Sequence, residues 1–367
     1  MDARRWPRTV LTMAMGATLA AASEAGQAGA GQGQASRFPE IDRPIFLSGR
    51  VVLEDGTPPP DQVLVQRTCD GRGIPQGYTD TRGHFSFEVG RNPSAALDAQ
   101  NQIFEVQANA NARDLTGCEL RVQLPGFYPA ARDLSGRRIL DSPDVGTLVL
   151  RRLPGVQGSI FSLTTLQARK DARAAFEKGR ALGRDKKLDE ALKEYEKAIR
   201  IAPGFAAAWF EMGLVHQMLS HAADARKAYG EALLADPRFI KPYRQIAFLS
   251  FNEQKWEEVV DATDRWIGLD SVSYPEAYFF NAFANFYLNR LDAAERSARE
   301  VVKLDSAGAI PRARYVLGAV LIEKKDYAGA ADELRAYVEI AEPGPDVERA
   351  RQMLTQLAAK LGNRPPP

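Results

Sequence analysis

The stretch from Ala172 to Pro237 reads twice at a fixed offset of 34 residues. Gly179 recurs as Gly213, Ala191 as Ala225, Tyr195 as Tyr229, Ala198 as Ala232 and Pro203 as Pro237. Self-similarity at such a period marks stacked supersecondary units, none of which can bury its apolar side alone. The unit expected is a pair of antiparallel helices. Close packing needs small residues where the two helices cross. Gly179, Gly213 and Gly318, with Ala247 and Ala282, meet that need in first helices. Ala191, Ala225, Ala294 and Ala330 do so in second helices, where the third unit has Val259. Trp209, Tyr243 and Tyr278 fill the remaining gaps, and Pro203 and Pro237 fall where second helices must stop.

This period and pattern resemble the tetratricopeptide repeat (TPR) family. On that resemblance the chain is read as multidomain, an all-α TPR superhelix preceded by a small antiparallel β-sandwich. The array is placed at 169–345, with repeats at 172–205, 206–239, 240–273, 275–308 and 311–344. The third departs from the pattern, with Trp266 in place of a small residue and Ser271 in place of the terminal proline. Beyond Pro345, Asp346 is the expected N-cap of a solubilising helix over 346–362, whose apolar stripe is Val347, Ala350, Leu354, Leu357 and Leu361.

The resemblance implies a binding scaffold whose concave face is lined by first helices. By family position, the inward side chains in the middle repeats include Phe210; then Lys241, Arg244, Phe248 and Phe251; then Phe279, Phe283 and Phe286; then Tyr315. These nine are the candidate partner-binding residues. An aromatic groove suits an extended or helical peptide segment, and Lys241 with Arg244 could hold a carboxylate at its rim. The opposing reading is that phenylalanine at helical spacing is core. In that case the rings pack on neighbouring helices, or on Ile160–Leu166 folded into the groove. The full Lys, Asn and Arg set with which chaperone-binding TPR proteins clamp a terminal carboxylate is missing, so that partner class is not expected.

Between about 40 and 152 the composition turns to short strand-like runs. These are 46–53 closed by Asp55-Gly56, 62–66, 85–89 after the Asp80–Gly83 turn, 119–124 and 147–150. Gly49-x-Val51, Thr79-Asp80-x-x-Gly83-x-Phe85 and Leu124-Pro125-Gly126-Phe127 resemble the carboxypeptidase regulatory-like (transthyretin-like) family, which implies a non-catalytic accessory module. Residues 153–168 form the linker. Its Ile160–Leu166 run is apolar and β-prone, so the two domains should touch.

The first thirty residues read as a signal peptide. Arg4, Arg5 and Arg8 precede the uncharged run Val10–Ala22, which is too short to span a bilayer comfortably and is followed by small residues. An uncleaved anchor is the alternative. Residues 31–39 form a flexible tether. Export would place Cys69 and Cys118, the only two cysteines, where disulfides persist, so they are expected to pair; two buried free thiols are the alternative.

A net charge of +1 gives no global attraction to nucleic acid or anionic membrane. No nucleophile motif, phosphate loop or metal-ligand cluster stands out, so no enzymatic activity, cofactor or metal is expected. His216 and His221, five apart across a helix end, would not share one helical face. The expected partner is therefore a protein or peptide segment in the cell envelope, self-association included. The alternative is a carbohydrate- or surface-binding protein acting through the sandwich, with the repeats as a spacer.

Overall fold

The computed structural model describes residues 45–59, 62–89, 115–137, 141–305 and 308–362. The expected signal peptide and tether lie outside the described residues, as does most of the segment between β4 and β5.

Among the described residues, seven strands form two sheets. β1 (Phe46–Leu53), β4 (His84–Glu88) and β7 (Asp144–Leu150) make one, in the order β4-β1-β7. β2 (Leu64–Cys69), β3 (Arg72–Tyr78), β5 (Cys118–Val122) and β6 (Ala130–Asp133) make the other, in the order β3-β2-β5-β6. All pairings are antiparallel except one: β7, the last strand, returns parallel to β1. Alternating inward residues such as Leu47, Val51, Phe85, Leu120, Val122, Leu148 and Leu150 bury one continuous core. Cys69 and Cys118 face each other across β2 and β5 and are joined by a disulfide, with Cα atoms 4.1 Å apart.

Two strands, β3 and β6, were not expected from the sequence, and both are sheet edges. An edge strand needs only one row of ladder bonds, so Pro75 in β3 is tolerated. It sits opposite Gln66 where the register shifts.

Among the described residues, ten helices then form five pairs. They are α2 (Lys170–Arg184) with α3 (Leu188–Ile201), α4 (Ala206–Met218) with α5 (Ala222–Ala235), α6 (Ile240–Asn252) with α7 (Trp256–Leu269), α8 (Pro275–Tyr287) with α9 (Leu291–Leu304), and α10 (Arg312–Glu323) with α11 (Tyr327–Ile340). A final helix, α12 (Pro345–Gly362), buries Val347, Ala350 and Leu357. It starts at Pro345, one residue before the sequence placed it. Pro suits the first helical position because its missing N–H has no partner there anyway. Asp346 is accordingly inside the first turn and pairs with Arg312 at 3.0 Å.

The repeat spacing has a direct physical cause. A Cβ on Gly179 would stand 2.6 Å from the Tyr195 ring, and one on Gly213 would stand 2.5 Å from the Tyr229 ring. Both tyrosines are fully buried. The aromatic near the start of each middle first helix closes the joint between repeats. Trp209 Nε1 donates to Pro203 O, Tyr243 Oη to Pro237 O and Tyr278 Oη to Ser271 O, at 2.9, 3.2 and 3.1 Å.

Within every pair the chain reverses through one non-glycine residue with positive φ. These are Lys186, Ser220, Gln254, Asn289 and Lys325, with φ between 58° and 65°. The following N–H bonds back five residues, as in His221 N–H to His216 O at 2.8 Å and Lys255 N–H to Ser250 O at 2.8 Å.

The linker is an ordered strap carrying the short helix α1 (Thr164–Gln167). Gln157 and Gly158 N–H both donate to Leu269 O, and Ser159 exchanges backbone bonds with Arg238 and Ile240, each at 2.9 Å. Ser162 Oγ and Leu163 N–H donate to the buried Asp236 carboxylate at 2.8 and 3.0 Å. Thr164 Oγ1 accepts from Ala206 N–H at 3.0 Å. Phe161 of the same strap completes the sandwich core. The sandwich adds its own bond, Gly126 N–H to Ser273 Oγ at 2.9 Å.

Candidate functional site

Four of the side chains expected to line the groove, Phe251, Phe279, Phe283 and Phe286, converge between α6 and α8, which are successive first helices. Phe251 of α6 lies 4.9 Å from Phe283 and 5.0 Å from Phe280 of α8, centroid to centroid. Trp256, the first residue of α7, stacks on Tyr287 at 4.6 Å, and Tyr287 stacks on Phe283 at 5.0 Å. Phe279 and Phe286 flank this group. The result is a continuous aromatic ladder spanning two repeats, with the offset and edge-on arrangements that ring quadrupoles favour.

Burial divides the candidates. Phe210, Phe251, Phe279, Phe283 and Tyr315 are buried, Phe283 to 1% exposure. Phe248 and Phe286 are partly exposed, as are Phe280, Trp256 and Tyr287, which the sequence reading did not single out. Phe210 packs against Phe239 and Tyr229, and Tyr315 against Tyr337, so each fills its own repeat. Of the Ile160–Leu166 run, Phe161 packs in the sandwich core and Ser162 and Leu163 bond to Asp236, as part of the strap described above.

The two basic candidates have partners. The Lys241 ammonium lies 6.0 Å from the Phe161 ring of the strap and 5.9 Å from the Phe210 ring. Arg244 Nε is 3.8 Å from Glu276 Oε1. Burial pushes the Glu276 carboxyl above its ordinary range, against the opposing pull of Arg244. A charge pair of mixed sign therefore borders the ladder, in place of the expected basic rim.

Beneath the ladder, α8 carries a buried polar network. Asn281 Nδ2 donates to Thr263 Oγ1 and Asp264 Oδ1 at 2.9 and 2.8 Å, and its Oδ1 accepts from Ser297 and Asn285 at 2.7 and 2.9 Å. Every polar atom of the Asn281 side chain is satisfied, so the network fixes the rotation of α8 and hence the direction in which its rings point.

His216 and His221 are closer than helical spacing implied. Their ring centroids are 6.0 Å apart, because the chain reverses at Ser220 between them. Spacing rules for one helix do not apply across such a reversal.

The family comparison settles on one segment. Residues 179–220 match the model of the TPR repeat. No curated protein matches the chain. Among solved structures, the chain is similar to YrrB, titled a TPR protein with an unusual peptide-binding site. The identity is 19%, over 53% of this chain and 100% of that one, with a TM-score of 0.46. It is also similar to MamA from Desulfovibrio magneticus RS-1, at 15% identity over 50% and 98% of the two chains, with a TM-score of 0.41. A third similar structure is pilF of Pseudomonas aeruginosa, at 16% identity over 52% and 90%, with a TM-score of 0.39. The helix pairs of the TPR array and the two-sheet β layer agree with the fold class read from the sequence. Among the described residues, no helix is long and apolar enough to cross a membrane.

Proposed function

We propose that the chain is an exported, non-catalytic scaffold that holds a segment of another protein against the aromatic ladder of its third and fourth repeats. The observation that carries this reading is the ladder itself. Its buried rings are stacked into a floor, while Phe280 and Phe286 keep part of their area at the surface, and Phe248 of α6 is also partly exposed. Aromatic area that is already ordered binds an apolar segment without a large ordering cost. Arg244 and Glu276 offer one charge of each sign beside it, which suits a segment with polar flanks better than a bare terminal carboxylate. The Cys69–Cys118 disulfide supports an oxidising compartment. In this reading the sandwich is an accessory module of the carboxypeptidase regulatory-like kind, which braces the repeats through the strap.

The test is site-specific photocrosslinking from position 286 in the envelope fraction of the source cell. It compares the wild-type chain with a Phe248→Ser, Phe280→Ser variant whose fold is checked by circular dichroism. Capture of a defined segment, lost in the folded variant and recovered as direct binding of the corresponding synthetic peptide, supports the reading. Equal capture by both chains rejects the ladder as the binding surface.

A further inference from the structure

We propose that His216, His221 and Asp224 form a binding site for a borderline transition-metal ion, Zn2+ foremost, at the turn between α4 and α5. One ring nitrogen of each histidine and one carboxylate oxygen lie within 4.8 Å of one another. Two of the three histidines in the chain are in this turn. Among the described residues, none of the three side chains makes a hydrogen bond or ion pair with another residue, and His216 Nδ1 is buried without a partner.

The fold shows why these positions converge. At the equivalent turn of the third repeat, Ser250 and Glu258 stand where His216 and Asp224 stand here. Their side chains are hydrogen-bonded at 3.0 Å. In the fifth repeat, Asp326 and Gly329 occupy the places of His221 and Asp224, and Asp326 Oδ1 accepts from Gly329 N–H at 3.0 Å. The turn thus brings the end of a first helix, the cap of the second and its third residue together in any repeat. Only in the second repeat do all three carry metal-ligating side chains; the corresponding sets are Leu182, Lys187 and Glu190 in the first, and Asn285, Arg290 and Ala293 in the fourth.

The donor set is two imidazoles and one carboxylate, which suits Zn2+, and its neighbours Cu2+, Ni2+ and Co2+, better than Ca2+ or Mg2+. Ligand atoms around tetrahedral Zn2+ stand about 3.4 Å apart, given bonds of about 2.0–2.1 Å. His221 and Asp224 are exposed, so rotation of these two side chains closes the difference. The nearby cation, Arg226, is held by Glu253 and Glu258 at 2.8 and 2.7 Å, so its charge is compensated. Three protein ligands leave a fourth position for water or for a donor from a partner.

Isothermal titration of the chelator-treated full chain with Zn2+ tests the site, with Co2+ absorption as a reporter of coordination. One saturable equivalent per chain and visible Co2+ bands are expected. Both should weaken by more than about tenfold in His221→Gln and in Asp224→Asn, and neither should change in His84→Gln. Zn2+ should raise the melting temperature of the wild type and of His84→Gln only. Absence of saturable binding in the wild type overturns the proposal. So does unchanged affinity in both ligand variants, or an equal loss in His84→Gln.

Discussion

At the scale of single residues, the glycines facing Tyr195 and Tyr229 are among the tightest points of the array. Adding one methyl group in Gly213→Ala must displace the fully buried Tyr229 ring, and with it the Tyr229 Oη bond to Gln217 Oε1 at 2.7 Å. The expected cost is about 1–3 kcal/mol, read as a lower denaturation midpoint. The reversal residues act in the opposite sense. Ser220 and Lys325 hold a left-handed backbone that a side chain disfavours. Lys325→Gly should stabilise by roughly 0.5–1 kcal/mol, and a loss of stability would show that the lysine side chain has a role beyond the turn.

Glu276 gives a pH dependence at the same scale. Its carboxyl is raised above the ordinary 4.5 by burial, so the folded chain holds this proton more tightly than the unfolded chain. The resulting stabilisation is present below that ordinary value and is lost as pH rises through the folded one. Glu276→Gln should therefore flatten the stability profile just above pH 4.5; an unchanged slope in urea titrations at several pH values would count against this assignment.

At the scale of elements, α8 carries the most varied duties. One side holds the aromatic ladder, and another holds the Asn281–Asn285 network against α7 and α9. Asn281→Ala would leave the Ser297 hydroxyl without its acceptor and remove the side-chain bonds from α8 to Thr263 and Asp264, and should cost about 2–3 kcal/mol, while loosening amide protection in α8 first. In the β layer, Cys69→Ser should lower stability by about 3–4 kcal/mol in the chain-entropy model, measurable under non-reducing conditions. The helix pairs were legible because glycine and alanine recur where helices cross, which is a constraint of packing and so of sequence. The roles of the phenylalanines were not legible. α8 is apolar on nearly every side, so period alone cannot separate a ring on a neighbouring helix from one on the open face. β3 and β6 escaped notice for another reason: as edges they need few strand-forming residues, and Arg72–Tyr78 contains two glycines and a proline. The approach of His216 to His221 was hidden by a single left-handed residue, whose conformation the identity of serine does not announce.

At the scale of the molecule, the strap between the sandwich and the array determines how the repeats are held. It bonds to Ala206, to Arg238 and Ile240, and to Leu269, and so reaches the joints that follow α3, α5 and α7. Asp236 anchors its centre. Asp236→Ala should raise amide exchange across 157–164 and at the start of α4 while leaving α10–α12 unchanged; uniform loosening of the whole array would contradict a local anchor. A stack of helix pairs ordinarily behaves as a spring, because each joint yields a little and the yields add. Here three consecutive joints are stitched to one strand that is itself seated in a β core. That part of the stack is expected to yield less than the rest, and so to act as a ruler. A bound segment would have to match a fixed spacing, since the protein has little freedom left to stretch or close around it.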